Sequence, residues 1–486
     1  MASANVGVKT PHREYVANAP KWKKIRDVLA SDCRIYLRDV GSSEPDQEYG
    51  AQRQKDYADG AVLYNFVKRT LSGMVGAVMR KPPEAKLPTA LQYLLTNCNG
   101  AGLGIAQQAQ DTLREDDSLG RAGLLVDAPP VAAATKAEQN AGMLNPRILM
   151  YTAENIINWR HETLGSTQVL KFIVLREAYE YTSGIDEFSV LIGEQYRVLE
   201  IVEGRYRQRL FKFDSAGSLT GEVEIIEVNP PRNTIPFVFI GSDNNDAAID
   251  PSPLETLVDL SIGHYRNSAD VEESSFICSQ PTLMIYPGES MTLERFNEAN
   301  ANGIRLGSRT AHNIGYGGAS ELLQAQESNL AKTLMIDKEN QAVMAGAQLL
   351  TPTAQITAES ARIQRGADTS IMSTIASNVS SAYEQAIKWC AEMMGATGEI
   401  VFELNQEFFL QPMTAQDRAA WMADINAGLL PRRAYQAALR SSGVTNWSDE
   451  EIEDELDRQT PPPAPALDTS VTVDIPEAPP EQQAQQ

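Results

Sequence analysis

The chain is poor in the residues that most often announce a chemistry. Its 486 residues include only four cysteines, Cys33, Cys98, Cys278 and Cys390, far apart and without a CxxC pair. That excludes a disulfide framework and reads as reduced, buried thiols of a cytosolic setting. The four histidines, His12, His161, His264 and His312, are as scattered, so no zinc-ligand spacing forms and neither a metal nor a cofactor is expected. HExxH and GxSxG are both missing. No apolar run reaches about 18 residues, so no membrane-spanning helix is expected, and the first nine residues are too polar for a signal peptide. Positive charge is scarce: 42 Lys and Arg against 64 Asp and Glu give a net charge of −22. A conventional nucleic-acid binder shows a basic surface. This balance argues against one, yet it suits a wall past which DNA slides, because negative charge repels phosphates.

What is present is an ordinary globular composition, 42% hydrophobic and 22% charged, over a length that implies about three folding units. A basic-aromatic patch at Lys21, Trp22, Lys23, Lys24 and Arg26 reads as a solvated helix face or as a contact arm for a neighbouring subunit. A helix is expected over 56–79, where Leu63, Phe66, Val67, Thr70, Leu71, Met74 and Val78 recur at helical spacing and Pro82 and Pro83 stop it. A second helix over 104–116 and a short buried strand over 122–126 follow. Residues 146–240 are β-rich runs broken by Gly, Ser, Asp and Asn. A long helix is expected over 253–276, with Ser252 as N-cap and Pro253 in the first turn. Short pieces occupy 278–320, helix returns over 321–346, LLTPTAQI (349–356) interrupts it, and a further helix covers 357–394. Then come a strand in VFELNQEFF, two short helices, and an acidic helix over 448–458 with a capping box, Ser448 with Glu451. The Pro- and Gln-rich residues 460–486 read as disordered.

Little here carries chemistry. Gly100-Ala101-Gly102-Leu103-Gly104 is the one phosphate-loop candidate, but the Lys and Ser/Thr of a Walker loop are missing and LQYLLTNCN before it reads as helix. Asp116–Asp117 and the acidic run 449–457 read as solvated faces. No nucleophile, base and oxyanion donor can be assembled, so no catalytic residue is assigned and a structural role is expected. The informative segment is 253–276. At about 100° per residue, Glu255, Asp259, Arg266, Asp270 and Glu273 fall within roughly 60° of one another. Leu254, Leu257, Val258 and Tyr265 group on another side. In a monomer this is a surface helix; in a ring the stripe would line a lumen.

The order of these pieces resembles the portal proteins of tailed bacteriophages, and within them a branch known as a domain of unknown function. The resemblance covers about 46–445. It rests on VMRKPPE (78–84), LGRAGLLVDAP (119–129), YTAENIINWR (151–160), HYRNSADVEESSFICSQPTLMIYPG (264–288), NQEFF (405–409) and AGLLPRRAYQAAL (427–439). None is a catalytic signature; their order carries the likeness.

The resemblance implies an α+β portal fold with a helical stem, a mixed clip and wing, and a mainly helical crown. An N-terminal arm would cover 1–45, the wing 46–250 and 357–402, the stem helices 251–277 and 321–347, the clip 278–320, the tunnel loop 348–356, the crown 403–459, and a tail 460–486. It implies a ring, of twelve copies, at one capsid vertex of a virion assembled in the host cytoplasm. Its partners would be the terminase large subunit, head–tail adaptor and tail proteins, and the major capsid and scaffolding proteins. Double-stranded DNA would pass without sequence-specific contacts, and no membrane is involved. Glu255, Asp259, Arg266, Asp270 and Glu273 would face the channel, while Gln348, Thr351, Thr353 and Gln355 would brush the phosphate backbone. Lys332, Lys338, Arg362 and Arg365 are candidates for basic tunnel rings or for salt bridges. The competing expectations are a head–tail adaptor or minor capsid protein without a channel, and a nucleotide-dependent enzyme resting on Gly100–Gly104.

Overall fold

Three helices open the chain in the computed structural model, which describes residues 6–129, 145–182, 188, 190–227, 231–280, 282–301, 303–304, 313–324, 329–346, 358–406, 408, 415–441, 443–445 and 447–458. α1 (Arg13–Ala30) turns Trp22, Ile25 and Val28 into the core. α2 (Gln47–Gly60) is capped by Asp46, whose carboxylate accepts from the backbone N–H of Glu48 at 2.9 Å and of Tyr49 at 3.2 Å. α3 (Phe66–Val78) buries Phe66, Val67, Thr70, Leu71, Met74 and Val78. The single helix expected over 56–79 is therefore two. Gly60, a poor helix former, ends α2, and Asn65 starts α3 by accepting from Lys68 N at 2.9 Å.

After β1 (Glu84–Lys86) and a 3-10 stretch at Thr89–Leu95 where helix was expected, α4 (Ile105–Leu119) ends at Gly120, whose φ of 68° is the left-handed C-cap. β2 (Arg121–Asp127) is buried along its whole length. It is the middle strand of an antiparallel sheet with β3 (Arg147–Thr152) and β9 (Phe237–Gly241), and α4 packs against it. A strand covered on both faces needs a continuous apolar run, which AGLLV supplies. Between β3 and β9 the chain makes a five-stranded antiparallel meander of β4 (Ile156–Leu164), β5 (Thr167–Thr182), β6 (Val190–Val202), β7 (Arg205–Phe213) and β8 (Glu224–Glu227). The two sheets close on Leu125, Tyr151, Trp159, Leu175, Leu199 and Phe239. Arg121 threads this core. Its guanidinium lies 4.4 Å from the ring centres of Trp159 and Phe239 and donates to the carbonyls of Ala247 and Ala248 at 3.1 and 2.8 Å, so cation–π contact and carbonyl oxygens replace its water.

α5 (Glu255–Ser279), β10 (Thr282–Tyr286), α6 (Leu293–Ala299), β11 (Ala319–Leu323) and α7 (Leu330–Met344) form a helix–excursion–helix. β10 and β11 pair antiparallel with Met284 opposite Glu321. The second stem helix expected over 321–347 is corrected: its first residues belong to a strand, recruited by pairing with β10. α8 (Ala358–Met394, 37 residues) re-enters the main core with Ile375, Val379, Tyr383, Ile387 and Cys390. β12 (Val401–Glu403) pairs with β1, so the strand expected in VFELNQEFF is three residues long.

These elements belong to one unit, which ends at Phe408; a second unit starts at Phe409. Its described residues hold α9 (Ala415–Asn426), α10 (Arg432–Ser441) and α11 (Asp449–Arg458). The capping box forms: Ser448 N donates to Glu451 Oε2 at 2.8 Å and Glu451 N to Ser448 Oγ at 3.2 Å. Residues 460–486 lie outside the described residues, as does the expected tunnel loop 348–356 with Gln348, Thr351, Thr353 and Gln355.

Candidate functional site

The site begins with how α5 is held. Ser252 Oγ accepts from Leu254 N at 3.1 Å and donates to the carbonyl of Ser118, which ties the entry of the helix to the end of α4. The helix starts at Glu255, two residues later than a Ser252 N-cap implies. Leu257, Val258, Ile262, Tyr265 and Ala269 are buried, the apolar side read from the sequence.

The charged stripe occupies a different surface, and each of its members is engaged by the N-terminal part of the same chain. Lys21 reaches Glu255 at 2.9 Å, and Lys24 pairs with Asp259. Arg266 Nε donates to the Tyr36 carbonyl at 2.6 Å. Asp270 accepts from Tyr57 Oη at 2.8 Å and pairs with Arg38 at 3.2 Å. Glu273 accepts from Arg53 Nε at 2.8 Å, and Arg53 also holds Glu44. Burial, and then the Asp270 bond, pushes the Tyr57 phenol well up. The hydrogen bonds to Glu273 and Glu44 hold Arg53 firmly charged. The picture of a bare acidic wall is therefore corrected. Glu255, Asp259, Arg266, Asp270 and Glu273 share one surface, as the helical phase implied, but that surface is an intrachain seam with the charges matched.

The basic-aromatic patch on α1 supplies part of this seam through Lys21 and Lys24, while Lys21 and Lys23 remain exposed, as a solvated helix face implies. Trp22 is in the core, Lys23 pairs with Asp27 at 2.7 Å, and Arg26 bridges Glu154 at 2.7 Å and Glu115 at 3.0 Å. No sequence spacing pointed to the pairings with α5, because those partners lie more than 200 residues apart in the chain; the one available signal was the opposite charge of two amphipathic segments.

The third side of α5 is taken by α7. Gly263 lies so close to α7 that a Cβ there would sit 2.8 Å from Lys338 Cε. His264, buried among Phe66 and Tyr64, meets Glu339 at 3.1 Å. The two helices expected to stand side by side do so. Lys338 is a packing residue of this contact, and Lys332 is exposed on α7. Arg362 and Arg365 fall in the first turns of α8, whose side chains lie outside the described residues.

The remaining candidates for chemistry resolve into structural roles. The amides of Ala101 and Leu103 donate to Asn99 Oδ1 at 2.8 and 3.2 Å, and that of Gly102 to Asn97 Oδ1 at 2.8 Å, so the loop spends its N–H groups on its own asparagines. Asp116 and Asp117 are not a solvated face: they are 0% and 1% exposed. Cys33, Cys98 and Cys390 are buried free thiols, but Cys278 is half-buried. A cavity of about 680 Å³ beside β2, β6 and β7 contains Arg147, Arg197, Asp127 and Gln208, whose charges are already paired. Arg197 holds Glu177 and Gln208 at 2.8 Å each, and Arg147 holds Asp127 at 2.9 Å. No described helix is long and apolar enough to cross a membrane.

A sequence profile described as a domain of unknown function (DUF4055) matches residues 253–394, the stretch from α5 through α8. No curated protein matches the chain. Among solved structures the chain is similar to one described as the neck of an empty GTA particle computed with C6 symmetry, at 14% identity and a TM-score of 0.38, over 75% of this chain and 86% of that one. A likeness at that score carries no argument about function. What stands on the geometry is a mixed α/β protein whose helix pair α5–α7, with its stranded excursion, lies inside the matched segment.

Proposed function

We propose that the chain is a portal-type subunit of a phage-like particle: one copy in a ring that joins head to tail and encloses a passage for double-stranded DNA. The supporting observation is the helix–excursion–helix of α5, β10, α6, β11 and α7. Two antiparallel-capable helices lie flank to flank and project a small two-stranded unit beyond them, in the order that the portal resemblance assigns to stem and clip. Among the described residues past Ala269, this stretch buries only Gly288 and Ala342. A segment without a core of its own is stabilised by neighbours, and a ring supplies them. In this reading the protein does no catalysis: a terminase docks at the excursion and hydrolyses ATP, and head–tail adaptor proteins take its place. The acidic stripe of α5 is not assigned to the channel, since cations of the same chain already pair it.

The test is the size and shape of the purified full chain. The expected result is a species many times 53.2 kDa by light scattering, and rings with a central hole in negative stain. A stable single-chain species at micromolar concentration overturns the proposal.

A further inference from the structure

We infer that residues 7–12 form an acid-sensitive strap: protonation of His12 releases it from the five-stranded sheet and uncovers the apolar cluster around Phe213. The inference does not depend on the ring reading above.

The strap crosses the sheet just before α1 begins. Val8 packs on the cluster of Ile157, Val174, Tyr196, Val198, Phe211 and Phe213. Lys9 lies over the Phe213 ring at 4.0 Å and pairs with Glu194 at 3.7 Å. The Thr10 carbonyl accepts from Asn158 Nδ2 at 2.9 Å, and His12 N donates to the Ile157 carbonyl at 2.9 Å. Ile157 and Asn158 belong to β4, an edge strand of the sheet, where unpaired backbone groups call for such a cover.

His12 joins the strap to the helical body, and its contacts there favour the neutral imidazole. As N-cap of α1, its Nδ1 accepts from Glu14 N at 3.3 Å. A protonated ring has two donors and no acceptor. Protonation therefore cancels the cap and sets a cation on the positive end of the helix. The His12 ring also lies 4.1 Å from Trp159, which already meets the Arg121 guanidinium at 4.4 Å. The row continues: Arg121 is 4.4 Å from Phe239, and His161 is 6.3 Å from Phe239. Arg121 is 1% exposed and has no route to water, so a second cation on Trp159 meets a fixed one. Burial holds His12 below its ordinary value, with Arg13 on α1 and Arg121 on β2 adding to it and Glu14 opposing. His161 is lowered by burial and then by Arg121, with Asp246 opposing.

The sign follows. In a released strap His12 takes its proton near pH 6.5, the ordinary imidazole value; in the closed strap it does so at a lower pH. The closed strap is therefore complete above about pH 6.5 and is lost as pH falls through the lower value.

Hydrogen exchange on the full chain at pH 7.5, 6 and 5, with rates corrected for the intrinsic effect of pH, tests this. Wild-type protection over 8–13 and 155–160 is expected to fall several-fold from pH 7.5 to pH 5, while β2 and β9 hold theirs. His12→Asn keeps a capping oxygen but cannot titrate, and its protection should be the same at all three pH values. His161→Gln should follow the wild type. Wild-type protection that stays flat, or a fall that His12→Asn reproduces in full, overturns the strap. If His12→Asn lies open throughout, Glu14→Gln decides: it removes the charge that favours the proton, so the loss should move to lower pH. An unmoved loss overturns the inference.

Discussion

Replacing Asp117 by asparagine should stabilise the fold, and by more as the pH rises. Asp117 and Asp116 sit on the last turn of α4, 1% and 0% exposed. Neither oxygen of Asp116 has a hydrogen-bond partner, and neither has Oδ2 of Asp117. Burial pushes the Asp117 carboxyl from 3.8 up to about 8, with Arg114 opposing. Asp116 is raised well above its ordinary value, first by burial and then by Asp117, Asp250 and Asp243. The negative end of the helix dipole acts in the same direction. Between about pH 4 and pH 8 the folded chain therefore keeps a proton that the unfolded chain has released. The stability this proton confers is complete below the unfolded value and is lost as pH climbs towards about 8. At about 1.4 kcal/mol per unit, the titrating carboxyl costs about 4 kcal/mol at pH 7. An amide in its place leaves a buried donor unpaired, at about 1–3 kcal/mol, for a net gain on the order of 2 kcal/mol. With about 2.1 cal/mol/K of unfolding entropy per residue over roughly 400 residues, that is about 2–3 °C in Tm, widening by about 1.6 °C per pH unit. Calorimetric melts of wild type and Asp117→Asn at pH 5, 6, 7 and 8, at constant ionic strength, measure it. A Tm difference that stays flat across those pH values, or turns against the variant at pH 8, refutes the reasoning.

Three other outcomes follow from the same structure. Asp259→Lys with Asp270→Lys places cations against Lys24 and Arg38 and takes the acceptor from Tyr57; we expect faster hydrogen exchange in α2 and a lower Tm, with the effect shrinking in high salt, whereas a bare acidic stripe predicts no change in either. Gly123→Ala brings a Cβ to 2.3 Å from Phe237 Cζ, so the ring must move; a cost of about 1–3 kcal/mol is expected, read as a fall in Tm. Ser448→Ala removes one half of the capping box at α11 and should cost about 1 kcal/mol of local helix stability, seen as loss of amide protection over 449–454 with the first unit unaffected.

Much of the fold was legible because its signals are local. The α3 stripe from Phe66 to Val78, the all-apolar run inside β2, the β-rich meander and the Ser448–Glu451 box each depend on residues a few positions apart, and the folded chain honours them. Failures came where a distant partner decides. Residues 321–323 have no intrinsic reason to leave a helix; pairing with Thr282–Met284 draws them into β11. Asp116 and Asp117 look like polar residues on a soluble helix until β2 and the 242–252 loop enclose them. The exposed apolar surface of α7 was hidden in the opposite way. Leu330, Leu334 and Ile336 are apolar residues in a helical run, and only the fold shows that none of the described residues covers them.

The charged stripe of α5 marks the limit of helical phase as evidence. A wheel correctly groups Glu255, Asp259, Arg266, Asp270 and Glu273, since the angle between side chains is intrinsic to the helix. What the group faces is not intrinsic. Four carboxylates around one arginine are a poor surface to leave bare beside a chain already at −22, and the least costly remedy is local neutralisation by cations that need not come from another molecule. Lys21, Lys24, Arg38 and Arg53 provide it. They lie at the other end of the sequence, on segments that are themselves amphipathic and read alone as solvent-facing. Two surfaces that each look hydrophilic are complementary to one another. An acidic stripe is therefore evidence for a polyanion conduit only after the basic stripes of the same chain have been assigned their own partners; here that assignment pairs the stripe on α5 with cations of the same chain and leaves α7, whose four charges cancel, as the less charged side of the helix pair.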